Sequence, residues 1–145
     1  LDAYAAGVTS AIRARFGDAV VCCEPGDFLV NDAGVLGATV TEVEEKGGAL
    51  FVGLNVGFNS NPQAAHYGFV PEIVHTTRGP AGPNDRSHAV TGNINEVIDI
   101  FNAGARLPDV HEGDVLAVLS AGGYGSSMAS DHCMRERAVE VMLRK

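Results

Sequence analysis

The pattern of apolar and polar positions changes character near Gly37. Upstream, Ala5, Val8, Ile12 and Phe16 recur at helical spacing, which predicts a helix over Asp2 to Phe16, closed by Gly17-Asp18. Ala19 to Cys23 is then an unbroken apolar run without alternation. That suits a strand covered on both faces, as in a parallel sheet under helices. Helix, turn and buried strand is the rhythm of an α/β unit. The strand is expected to stop at Glu24-Pro25-Gly26, with a short helix or turn over Asn31 to Leu36. One such unit cannot cover both faces of its own strand, so its neighbours must come from upstream sequence or another chain. A first residue of Leu1 rather than Met agrees with missing upstream sequence.

Downstream, Ala38 to Glu45 alternates, Gly47-Gly48 turns, and Ala49 to Val56 returns, which is a hairpin signature. Further short strands are predicted at Val70 to Thr77, Ser87 to Thr91, Val115 to Ser120 and Ala138 to Leu143. Arg78 to Asp85 reads as a loop, and Asn95 to Phe101 as a short helical patch. The organisation expected is therefore residues 1–36 as the end of an α/β domain and residues 37–145 as a mostly β domain.

Composition narrows the function classes. The 145 residues are 46% hydrophobic and 19% charged, enough for a packed core. A net charge of −8 with no Lys/Arg run argues against nucleic acid and against anionic membrane surfaces. No apolar run approaches the ~20 residues of a membrane-spanning helix. Cys22, Cys23 and Cys133 form no disulfide framework, which fits a reduced, cytoplasmic setting.

Three stretches could carry chemistry. Glu24, at a strand end, could pair with a cation, and Gly26 would let backbone approach a ligand; a solvated Pro-Gly turn is the plainer reading. Gly122-Gly123-Tyr124-Gly125, followed by Ser126 and Ser127, offers close backbone approach and a phenol, or is a loop with a packed tyrosine. In Gly92-Asn93-Ile94-Asn95-Glu96, Glu96 could hold an ammonium group, or Asn95 could cap a helix with Glu96 in its first turn. His132-Cys133 and Cys22-Cys23 lack the spacing of a metal site, so no metal is expected. His66, His75, His88 and His111 read as surface or packing residues, and no triad is legible.

The order of these motifs carries more than any one of them. Glu24-Pro25-Gly26, then Leu29-Val30, Ala33-Gly34 and Val35-Leu36, then GNINEVID, then EGD before AGGYGSSM, then a final Glu-Val strand, resembles the C-terminal half of the fold-type III pyridoxal-phosphate decarboxylases. These are the diaminopimelate, ornithine and arginine decarboxylases. The resemblance runs from about Val20 to Leu143. It implies a β-barrel-like C-terminal β domain (37–145), preceded by the last helix–strand unit of a pyridoxal-phosphate-binding β/α barrel (1–36). It also implies a homodimer with shared active sites and a small amino-acid substrate.

Residue by residue, the resemblance gives Glu24 the role of partner to the cofactor's pyridine nitrogen. It places Gly26 near the phosphate and Tyr124 against the cofactor. Glu96 matches an acidic residue that recognises the distal amino group of a diamino acid. Asn95 stands where the family carries a cysteine implicated in protonating the product, and an amide has no suitable pKa for that task. Asp27 replaces the arginine of the usual EPGR. Asn55-Val56-Gly57-Phe58-Asn59 replaces D-x-G-x-N, and Asn61-Pro62 stands for an arginine–proline pair at shorter spacing.

The cofactor also requires a lysine. Lys46, in a hairpin turn, and Lys145, the last residue, are the lysines here, and neither lies on a barrel strand. The expectation is an enzyme part, active only with the lysine-bearing N-terminal barrel portion. The alternatives are a non-catalytic regulatory relative or a pyridoxal-phosphate-dependent racemase.

Overall fold

The computed structural model describes residues 1–144. A six-stranded sheet organises it: β1 (Leu36–Lys46), β2 (Ala49–Leu54), β3 (Ile73–His75), β4 (Arg86–Thr91), β5 (Ile100–Leu107) and β6 (Val115–Val118). Their spatial order is β3-β6-β1-β2-β4-β5. All neighbouring pairs are antiparallel except β2 with β4. The edge strands β3 and β5 approach each other, and Asn102 donates across to the carbonyl of Pro71 at 3.0 Å. The sheet is therefore barrel-like and nearly closed. Closure protects edge N–H and C=O groups that an open sheet would expose.

Period-two alternation decides which side faces inward. Ala38 and Val40, Val52 and Leu54, Val90, Phe101 and Leu107, and Leu116 and Val118 all point into one core. The hairpin between β1 and β2 turns at Gly47 and Gly48, both at positive φ, where a side chain would be strained. His75 is buried in this core region but paired: its Nε2 lies 3.1 Å from Asp114, and its Nδ1 faces the backbone N–H groups of Thr77 and Arg78. His88 is also buried, whereas His66 and His111 are not.

Several predicted elements are corrected. Ala19 to Cys23 forms no strand, because among the described residues no neighbouring strand pairs with it. The short helix begins earlier than expected, as α2 (Asp27–Val30), and continues as a 3-10 turn over Asn31–Ala33. Strand β1 starts at Leu36, so Gly37 lies inside it and pairs with Ala117. The region from Val70 narrows to the three residues of β3. Asn95 to Phe101 is not a helix: consecutive turns lead into β5. Ala138 to Leu143 forms no strand and is exposed throughout. The helix α1 (Asp2–Phe16) forms as predicted but buries none of its residues. A further short helix, α3 (Gln63–Tyr67), packs near β5.

Candidate functional site

The structure docks the loop after β6 directly on the segment after Glu24. Backbone hydrogen bonds run from Ala121 N–H to the Gly34 carbonyl and from Gly122 N–H to the Asn31 carbonyl, each 2.9 Å. The approach is close enough that a Cβ on Gly34 would lie 2.5 Å from the Gly122 Cα. Buried Gln63 ties the two segments together, donating to Asn31 Oδ1 and to the Ser120 carbonyl. Two stretches 88 positions apart, judged by the Ser120–Asp32 hydrogen bond, thus form one surface.

Glu24 and Gly26 lie on the exposed lead-in to α2, and the Gly26 N–H closes a tight turn onto the Glu24 carbonyl. Among the described residues the Glu24 carboxylate has no side-chain hydrogen bond or ion pair, so it is free to meet a cation. Tyr124 is half-exposed, its ring centroid 5.7 Å from that of Tyr67. The Tyr67 hydroxyl reaches the sulfur of Met128. Asp27 turns its carboxylate against Gly123, and its Oδ1 is buried without a partner.

A second cluster lies on the turn after β4. Asp99 is 3% exposed. Its two oxygens accept from Phe58 N–H at 2.7 Å and Ile94 N–H at 2.6 Å. Burial pushes its carboxyl above the ordinary aspartate value, and those two N–H groups oppose that rise. Asp99 thereby pins the turn that carries Asn95 and Glu96. The Asn95 amide is exposed. Glu96 meets His132, Nε2 to Oε1 at 2.5 Å, and the His132 ring packs on Phe58 with centroids 4.9 Å apart. Arg135 donates to the Asn93 carbonyl and so holds the 130–137 segment against this turn.

Next to it is a cavity of ≈ 310 Å³ bordered by Asn55, Asn59, Asn93 and Arg135. Asn59 and Asn93, two of its lining residues, each have a buried Oδ1 without a hydrogen-bond partner. A larger hollow, ≈ 450 Å³, lies beside β2 and β4 around Arg86 and Ser87, away from every candidate residue.

The sequence reading gave Asp99 no role and weighed His132 only as a metal candidate, not as a partner of Glu96. Asp99 was visible as the acidic residue ending GNINEVID, a signal that needed only the buried turn around it. His132 carries no local signal, because its contact with Glu96 spans 36 positions. Lys46 ends β1 at the hairpin turn, and Lys145 lies outside the described residues.

Comparison with known proteins shows the family and the fold. Residues 27–122 match the family model described as the C-terminal sheet domain of pyridoxal-dependent decarboxylases. A diaminopimelate decarboxylase from Methanothermobacter thermautotrophicus is 33% identical over 100% of this chain and 35% of its own length. One from Thermoplasma acidophilum is 38% identical over 90% of this chain and 30% of its own. Among solved structures, diaminopimelate decarboxylase from Helicobacter pylori complexed with L-lysine superimposes with a TM-score of 0.72. It is 30% identical, covering 92% of this chain and 32% of that one. The chain spans about a third of the length of these relatives.

Proposed function

Because the chain belongs to the family of pyridoxal-dependent decarboxylase C-terminal sheet domains, we propose that it supplies one wall of the active site of a pyridoxal-phosphate-dependent decarboxylase acting on a diamino acid. The observation that carries this is the docking of Gly122 and Gly123 onto Asn31 and Asp27. It joins the Glu24 and Tyr124 stretches into one surface on which the Glu24 carboxylate is exposed and the Tyr124 side chain half-exposed.

These residues fit the cofactor in part. The Glu24 carboxylate is exposed and uncommitted, as a partner for a protonated ring nitrogen must be. The half-exposed Tyr124 phenol can contact a planar ring, and Gly26 leaves room near a phosphate. When bound, pyridoxal phosphate supplies an electron sink for the charge left by loss of CO₂. Glu24 keeps the ring nitrogen protonated, and Glu96 binds the distal ammonium of the substrate. Asn95, an amide, positions substrate and donates no proton.

The covalent anchor must come from the barrel. The chain is inactive without it, and the assembled enzyme is a cytoplasmic homodimer with shared active sites. Unmet apolar surface supports such partners: α1 has no buried residue, Val20 is 88% exposed, and Leu143 is 90% exposed. The residues beside them, Ala19 to Cys23 and Ala138 to Leu143, have strand-like composition and pair with no strand among the described residues.

The test is substrate preference in the full-length protein. Glu96→Ala is expected to reduce kcat/KM for a diamino acid more than for its monoamino analogue. Equal losses would reject the role of Glu96, and activity as a racemase in place of CO₂ release would reject the reaction type.

A further inference from the structure

Glu96, His132 and Cys133 bring a carboxylate oxygen, an imidazole nitrogen and a thiol sulfur within 4.8 Å of one another, all three residues exposed. We propose that this trio is a binding site for a divalent transition-metal ion of the zinc type. It goes beyond the decarboxylase reading and does not depend on it.

The donor set matches the ion. Zinc takes thiolate, imidazole and carboxylate together, commonly with three protein ligands and one open position. Hard cations such as Mg²⁺ would instead ask for oxygen alone.

The backbone explains how neighbours converge. In an extended segment, consecutive side chains point to opposite sides. Cys133 sits at φ 55 and ψ 26, and Met134 is also at positive φ. This left-handed kink, uncommon for residues other than glycine, brings the sulfur of Cys133 to the side occupied by the His132 ring.

The other two ligands are already supported. The His132 ring rests on buried Phe58, and the turn carrying Glu96 is fastened through Ile94 to Asp99. Small readjustment is needed. Tetrahedral ligation at zinc–ligand lengths of about 2.0–2.3 Å separates donor atoms by roughly 3.3–3.7 Å. The Glu96–His132 pair, now at 2.5 Å, must therefore open slightly, which two exposed side chains can do.

The site has a consequence for Glu96. An ion held there occupies the carboxylate that would otherwise face a cationic substrate group, so metal and substrate compete.

The experiment uses Co²⁺ as a spectroscopic stand-in and Zn²⁺ for affinity, on the full chain with Cys22 and Cys23 both replaced by serine. One equivalent of Co²⁺ should produce a thiolate-to-metal absorption band. Cys133→Ser should abolish the band. His132→Ala should weaken Zn²⁺ binding by more than the ~10–100-fold typical of losing an outer-shell partner. The thermal midpoint without metal should stay unchanged in Cys133→Ser, whose side chain is exposed and makes no hydrogen bond among the described residues, whereas His132→Ala gives up its contacts with Phe58 and Glu96 and is read by metal affinity alone. Absence of the band, or Zn²⁺ affinity unaltered in both variants, would overturn the proposal.

Discussion

Gly122 lies so close to Val30 that a Cβ on Gly122 would stand 2.1 Å from the Val30 carbonyl oxygen. That oxygen belongs to the backbone and cannot swing away. Gly123, one residue on, is equally crowded, but there the obstacle is the carboxylate of Asp27, the mobile end of a side chain. The two glycines therefore make opposite demands on their surroundings.

Gly122→Ala is expected to destabilise by about 3 kcal/mol, the upper end of ordinary overpacking, because the loop must lift off the Asn31 carbonyl. Gly123→Ala should cost about 1 kcal/mol or less, since Asp27 can turn a partnerless oxygen out to water. Urea unfolding of the two variants measures the difference. Equal losses would show that the docking of this loop is not set by backbone contact.

Asp99→Asn tests the anchor of the Glu96 turn. The carboxylate accepts from two N–H groups, and an amide offers one acceptor oxygen and places its NH₂ against a donor. A loss of about 1–3 kcal/mol is expected, the cost of a buried donor left unmet. Hydrogen exchange should quicken at Phe58 and Ile94 before the strands are affected.

Asp114 gives a pH prediction with a definite sign. The His111 N–H first, and the His75 side chain second, hold its carboxyl below the ordinary value of 3.8. A carboxyl lowered on folding adds stability above its unfolded value and loses it as pH falls through its folded one. Asp114→Asn should therefore melt below the parent protein at pH 6, and the gap should close below about pH 3.8. Thermal midpoints measured between pH 6 and pH 2 check this. A gap that widens in acid would contradict it.

Glu24→Gln separates chemistry from folding. The side chain is exposed and makes no hydrogen bond or ion pair among the described residues, so stability should change by no more than about 0.5 kcal/mol. Turnover of the full-length protein should fall by orders of magnitude, because an amide cannot keep a ring nitrogen protonated. A variant as active as the parent would remove Glu24 from the mechanism.

Much of the sheet was legible because its signals are local. The hairpin of β1 and β2 announces itself by the apolar–polar alternation that opens β1 and by the turn at Gly47-Gly48, and it formed with Lys46 opposite Ala49. Strand β5 escaped because Asn102 and Gly104 interrupt its apolar positions, and partnership with β4 outweighs that weak local preference. The runs Ala19 to Cys23 and Ala138 to Leu143 failed for the opposite reason. Their composition favours strands, but among the described residues no strand pairs with them, and a strand without a partner leaves its hydrogen bonds to water.

The site divides the same way. Glu24, Gly26, Tyr124 and Glu96 could be named from short motifs. The contacts that organise them could not: Gly122 on Asn31, Asp99 under Ile94, and His132 against Glu96 each join distant parts of the chain. Cys133 converges on Glu96 only through a left-handed backbone that its residue type does not announce.

The most direct test of the decarboxylase reading compares this chain alone, the lysine-bearing barrel alone, and the two joined, each with pyridoxal phosphate. The quantity measured is CO₂ released from a carboxyl-labelled diamino acid. Release by the joined protein alone, abolished by Glu24→Gln, is the predicted result. Release by the isolated chain, or by a joined protein indifferent to Glu24→Gln, would contradict it.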